Sequence, residues 1–233
     1  MNYQFNWQAV ITGEYGQWIM DGLLITLQIS AVSIVLSLVL GTLIAVMRLT
    51  KVRLLEWLAL SYTEFFRNTP LLVQLFFWYF GSHAVLPEFV NTWLYEHDFE
   101  FGAGVISLTV YTSAFIAEEI RSGIFAIPKT QLEASRACGL SFLQAMHHVI
   151  LPQAFRIIIP PLISQFLNLI KNSSLVMTIG VMDLMYMARQ IESYAGRGFE
   201  AFTVILIIYL TISLAVSFLI TQYNKRFLRQ IAY

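Results

Sequence analysis

Few side chains in this sequence could do chemistry, and most of those few sit where apolar surroundings make them costly. Lys171 is the plainest case. It lies deep in an apolar run that starts near Ile157, flanked by Asn168, Asn172, Ser173 and Ser174. An ammonium at such depth must face protein, water or a counter-ion. Two readings follow: Lys171 and its neighbours line a polar path that favours a carboxylate, or Lys171 pairs with an acid such as Glu64 or Glu118 and fixes helix packing. Glu64 and Arg67 have the spacing of an ion pair on one helix face. Glu118, Glu119 and Arg121 form a second charged group, near the end of another apolar run. His147 and His148 lack a third ligand at metal spacing and read as a partner-facing pair. Met177, Met182, Met185 and Met187 read as adaptable packing. No Gly-x-x-x-x-Gly-Lys-Ser/Thr loop occurs, and no nucleophile stands with a base or a metal constellation, so neither ATP hydrolysis nor intramembrane catalysis is expected of this chain.

One polar stretch carries helical order. From Pro128 to Phe155 the chain reads as a short helix, a break and a second helix. Pro128 stands where a first-turn proline is tolerated, Gly139 where a helix end wants a left-handed residue, and Ser141 where the next helix wants a cap. The product is a small ordered knob presenting Glu133, Arg136 and a glycine to water.

The elements that must position these groups follow from composition. Of 233 residues, 58% are hydrophobic and 12% charged, against roughly 25% charged in soluble domains. Mean hydropathy is +0.67. The apolar residues gather into runs of membrane-crossing length. The expected fold is all-α and polytopic, with five spans at about 23–47, 71–86, 105–127, 157–178 and 202–223. Arg53, Glu56, Leu60, Glu64 and Arg67 recur at helical steps and suit an interfacial helix, after which Thr69 as cap and Pro70 as first helical residue restart the chain. Arg48, Lys51, Arg53, Arg121, Lys129, Arg136, Arg156, Lys225, Arg226 and Arg229 then fall on the inner side. Only Arg189 and Arg197 fall outside, which sets the N-terminus out and the C-terminus in. The segment 1–22 is external, the loop 128–155 and the tail 224–233 are cytoplasmic, and the acidic stretch 83–101 lies outside. The run Phe76 to Phe80 reads as lipid contact. No internal repeat is visible, and the lone Cys138 closes no intrachain disulfide.

The knob resembles the cytoplasmic signature of the permease subunits of ATP-binding-cassette importers: Glu-Ala-Ala, three residues, Gly, nine residues, Ile, one residue, Leu-Pro. Glu133, Ala134, Gly139, Leu151 and Pro152 stand at that spacing, with Ser135 replacing the second alanine and Val149 the isoleucine. Arg67 through Gln74, Ala117 through Pro128, and Leu169 through Gly180 are similar to the polar amino-acid uptake branch. Asn168 to Ser173, Thr178 to Gly180 and the stretch around Ser193 and Tyr194 look most like glutamate/aspartate permeases. The resemblance implies a type I importer permease fold in the inner membrane. It further implies a coupling helix with Glu133, Ala134, Arg136, Gly139, Leu140, Leu151 and Pro152 at an ATPase groove. Read from the residues themselves, Asn168, Lys171, Asn172, Ser173, Glu64, Arg67 and Glu118 are the candidates for a translocation path. The partners that the resemblance implies are an ATPase dimer that carries the ATP and Mg, a second permease subunit, the same or similar, and an extracytoplasmic amino-acid-binding protein. No cofactor is expected on this chain, and no nucleic acid. An ion-coupled secondary amino-acid carrier is the competing reading; it calls for intramembrane acid relays and repeats.

Overall fold

The apolar runs fold as helices, and the exceptions are the places where capping residues interrupt them. The computed structural model describes residues 4–50 and 52–227. Lys51, Arg229, the first three residues of the external segment and residues 228–233 of the tail lie outside the described residues. Regular structure among the described residues is helical throughout: α1 Trp7–Ile11, α2 Gly13–Leu49, α3 Arg53–Arg67, α4 Leu71–Val85, α5 Glu88–His97, α6 Phe99–Phe125, α7 Lys129–Ala137, α8 Phe142–Ala145, α9 Leu151–Asn172, α10 Leu184–Ala195 and α11 Gly198–Phe227. A π-helical turn, Met146–Ile150, joins α8 to α9, and a 3-10 segment, Ser173–Ile179, extends α9.

Among the described residues, four helical stretches are long and apolar enough to cross a membrane: Gly13–Leu49, Phe99–Phe125, Phe142–Ile179 and Gly198–Phe218. The first has 37 residues and so measures about 55 Å, well beyond a ~30 Å hydrocarbon layer. It begins ten residues before the run that starts at Leu23, because Glu14 and Asp21 are polar without breaking a helix. Helix α4 has only 15 residues, about 22 Å.

The break between α3 and α4 differs in detail from expectation. Pro70 occupies the cap position, with φ −64° and ψ 135°, and Leu71 is the first helical residue. Thr69 serves the end of α3 instead: its hydroxyl donates to the Phe65 carbonyl at 2.9 Å. The buried Gln74 amide folds back to donate to Thr69 Oγ1 at 2.7 Å and to the Phe66 carbonyl at 3.1 Å. A proline nitrogen has no proton to give, so the side chains around the break supply the bonds. Helix α3 packs on the knob-end halves of α2 and α6, burying Ala59 against Ile44, Ala45 and Ala117.

Helices α2 and α6 form the most extensive pair in the fold. Small buried residues allow their approach: Ser30, Ser33, Ser37 and Gly41 on α2, Ser107, Ser113, Ala114 and Ala117 on α6. A Cβ on Gly41 would lie 2.7 Å from Ile116 and 2.9 Å from the Ser113 carbonyl. Helix α9 crosses α6 just as closely, since a Cβ on Gly123 would fall 2.2 Å from Ile158. At the far end from the knob, Ile29, Leu71, Leu75, Leu108 and Val176 form one core, and Ile19, Leu184, Ile191 and Ile205 another.

Candidate coupling knob and membrane path

Local chemistry builds the knob. Helix α7 stops at Cys138, and Gly139 turns the chain at φ +88°, a conformation that costs L side chains roughly 1–2 kcal/mol. Ser141 and Gln144 then make a reciprocal capping box: Ser141 Oγ accepts the Gln144 N–H at 3.2 Å, and Gln144 Oε1 accepts the Ser141 N–H at 2.8 Å. The Arg136 guanidinium donates to the Leu140 carbonyl at 3.2 Å and braces the turn. Glu133, Ala134, Arg136, Cys138 and Gly139 are exposed, and Leu140 is half-buried. Ser135, where the family signature has alanine, is buried, and its hydroxyl is satisfied by the Leu132 carbonyl at 2.8 Å. A small residue suffices there.

Two residues of the knob escaped the sequence reading. Phe142 and Leu143 are 54% and 77% exposed on α8. The sequence signal was their position directly after the Ser141 cap. The knob is mechanically continuous with the membrane part. Helix α7 packs on the π turn, the π turn leads into α9 at Leu151 and Pro152, and α9 packs on α6. His147 and His148 lie exposed on that π turn, edge to face, and no group of three metal-binding side chains occurs among the described residues.

The path candidates separate into three sets. Asn168 and Asn172 line a cavity of about 300 Å³ between α6 and α9 together with Tyr111, Thr112, Phe115 and Gln165. Arg67 reaches the same wall from α3, its guanidinium 5.5 Å from the centre of the Phe115 ring. Glu119 steadies the other side by accepting from Gln165 at 3.3 Å. Tyr111, Gln165 and Glu119 become visible as one site only when α6 and α9 are packed.

Lys171 is exposed one turn away and makes no ion pair among the described residues. The expected pairing with Glu64 or Glu118 does not form, since Glu64 accepts from Asn68 at 3.1 Å and Glu118 is taken by two arginines. The expected Glu64 to Arg67 pair is likewise absent; Arg67 turns to Phe115 because the ring offers a cation–π contact on the protein side.

Ser173 and Glu118 face inward. Ser173 is fully buried and bonds its own helix at the Ile170 carbonyl, 2.8 Å away. Glu118 accepts from Arg48 at 2.7 Å and from Arg121, tying the knob-end halves of α2 and α6 together. Arg48 also donates to Thr63 of α3 at 3.3 Å, so its guanidinium links α2 to both α3 and the Glu118 carboxylate of α6.

Asp183, absent from the sequence candidates, anchors the far end. It is fully buried and caps α10, accepting the Tyr186 N–H at 2.9 Å and the Tyr209 hydroxyl at 3.3 Å. Leu184 N–H donates to Thr26 of α2 at 3.1 Å. Burial pushes the Asp183 carboxyl up from 3.8 to about 6. An acid whose pKa rises on folding stabilises the fold below its unfolded pKa, and that contribution is lost as pH climbs through the folded value. The thermal midpoint of wild type relative to Asp183→Asn is therefore expected to fall between pH 4 and pH 6 and to level off above; parallel midpoint profiles for the two proteins would contradict it.

Comparison with known proteins agrees with this geometry. The chain is 44% identical over 207 residues to a Bacillus subtilis (strain 168) protein named probable glutamine ABC transporter permease protein GlnM, covering 89% of this chain and 92% of the relative. It is 30% identical over 237 residues to the Escherichia coli (strain K12) glutamate/aspartate import permease protein GltJ, covering 97% and 96%. A solved structure described as an amino acid ABC transporter with histidines superposes at TM-score 0.85 with 32% identity, over 96% of this chain and 100% of that one. The profile of one family matches residues 8–229, and the chain belongs to that family, the binding-protein-dependent transport system inner membrane components.

Proposed function

We propose that this chain is the permease subunit of a type I ATP-binding-cassette importer for a polar amino acid, in the inner membrane. It makes five crossings, the fifth supplied by α4 with its flanks, with the N-terminus outside and the C-terminus and knob in the cytoplasm. It pairs with a second permease subunit, takes substrate from an extracytoplasmic binding protein and receives motion from an ATPase dimer that binds the ATP and Mg. The observation that carries this reading is the knob, a capped rigid element with exposed Phe142, Leu143, Glu133 and Arg136, continuous through the π turn with the helix that lines the polar cavity. A stiff element transmits displacement that a floppy loop would absorb.

The substrate reading broadens from glutamate/aspartate to include glutamine, which the more similar of the two named relatives favours. Asn168, Asn172 and Gln165 offer amide donors and acceptors, and Lys171 and Arg67 offer positive charge, so both a carboxylate and a carboxamide are accommodated.

Purifying the chain with its ATPase and binding protein and measuring ATP turnover against single amino acids tests the reading. Glutamine or glutamate is expected to raise turnover; uptake driven by an ion gradient without any ATPase would overturn it. In the same system, Lys171→Met is expected to cut uptake by about tenfold while binding-protein-stimulated turnover persists, a loss of roughly 1.4 kcal/mol. Unchanged uptake would remove Lys171 from the path.

A further inference from the structure

Helix α10 has two faces. Leu184, Ala188 and Ile191 are buried against α2 and α11, and the bonds of Asp183 and Leu184 fix its start. Tyr186, Arg189, Gln190 and Ser193, at steps of three, one and three residues, share another side. They line a pocket of about 470 Å³ with Met177 and Thr178 of the 3-10 segment, a size within the roughly 300–1,000 Å³ of small-molecule sites. Arg189 is the charged residue of that lining, and no carboxylate faces it there. Among the described residues Arg189 is in no ion pair, whereas Arg48, Arg121 and Arg197 each hold a glutamate.

A guanidinium with free fork geometry, ringed by two hydroxyls, a phenol and an amide, matches a carboxylate on a small polar molecule. Along the chain, Thr178 of this pocket, then Ser174 and Lys171, then Asn168 of the cavity between α6 and α9 are all exposed or half-buried polar residues.

We propose that the pocket around Arg189 is a carboxylate-binding subsite at the outer mouth of the path, where the amino acid is held before it reaches Lys171. The inference rests on the importer reading above and adds a site to it. Arg189 forms the charged hydrogen bonds, Ser193 and Thr178 supply hydroxyls, and Gln190 meets the rest of the polar substrate.

The test uses the complex with its ATPase, with Cys138→Ser removing the single native thiol and Met177→Cys placing a reporter in the pocket. L-Glutamine or L-glutamate at about ten times its dissociation constant is expected to slow maleimide labelling of the reporter roughly tenfold. The corresponding decarboxylated amine is expected to give no protection. Adding Arg189→Gln is expected to cut protection to under about twofold at the same concentration, with the thermal midpoint unchanged because Arg189 is exposed. Equal protection with and without Arg189, equal protection by the amine, or protection by the binding protein alone would overturn the proposal. Failure of the importer reading is distinguishable, because then no amino acid raises ATP turnover in the complex that retains Arg189 and Ser193.

Discussion

Replacing Glu118 by Gln is expected to lower the thermal midpoint of the detergent-solubilised protein by roughly 5–10 °C. The substitution keeps size and shape, so the loss reports charge. The Glu118 side chain is 19% exposed, and the side chains of Arg48 and Arg121 that meet it are 13% and 29% exposed. Removing one partner of a largely buried ionic group leaves the others uncompensated, at a cost of about 3–5 kcal/mol. In a chain of this length each kcal/mol moves the midpoint by roughly 2–4 °C; incomplete burial and the three-helix packing that survives set the figure at the lower part of that range. The second measurement is a partial rescue. Glu118→Gln with Arg48→Met removes one orphaned charge along with the lost acid, and the double variant is expected to recover several degrees. A midpoint for Glu118→Gln within a degree or two of wild type would show that the ionic cluster does not hold α2, α3 and α6 together.

The second large effect belongs to the knob. Gly139→Val puts a β-branched residue at φ +88°, where even a plain Cβ costs roughly 1–2 kcal/mol and a branched one more. No neighbouring atom lies within 4 Å of a Cβ built there, so the cost is backbone strain and not a clash. The chain relieves it by leaving the left-handed turn, which breaks the Arg136 brace and re-aims Phe142 and Leu143. Uptake is expected to fall by at least about tenfold, equivalent to 1.4 kcal/mol of lost coupling, with the protein still inserted and its midpoint little changed. Gly139→Asn, which tolerates left-handed backbone, is expected to retain most of the uptake. Equal loss for Asn and Val would show that the turn's conformation is not what matters.

How far the sequence carried the structure depended on how local each interaction is. Gly139 and Ser141 were legible because capping is settled within a few residues, and the structure shows the turn and the capping box in place; Pro128, expected in the first turn of α7, stands one residue earlier as its cap, with ψ 136°. The membrane runs were legible by length and hydropathy. Their ends were less so: α2 begins at Gly13 because nothing between Gly13 and Leu23 breaks a helix, although polarity suggests a later start. Pro70 took the cap position expected of Thr69, and Thr69 turned to the end of α3, with Gln74, a turn further on, reaching back to the break. Pairings across helices were illegible. Spacing alone joined Glu64 to Arg67, yet Phe115 of α6 and Asn68 competed successfully for them. Depth left Lys171 either on a polar path or beside an acid, and the two acids named for it, Glu64 and Glu118, are bonded elsewhere. Asp183 went unnoticed and Arg189 counted only towards sidedness, because each looks ordinary in sequence, and only α10 folded against α2 and α11 buries one and turns the other into a pocket.

Docking of the knob on a separate ATPase, as proposed above, is read directly at Cys138. This cysteine is exposed at the end of α7, beside Gly139, and is the single thiol of the chain. Its maleimide labelling rate, measured on the permease alone and again after assembly with the ATPase dimer, reads occupancy of the knob. The account predicts that assembly slows labelling by at least about tenfold, as a surface occupied more than nine-tenths of the time requires. An assembled complex that imports its amino acid in an ATP-dependent way while Cys138 reacts as fast as in the free permease would contradict it.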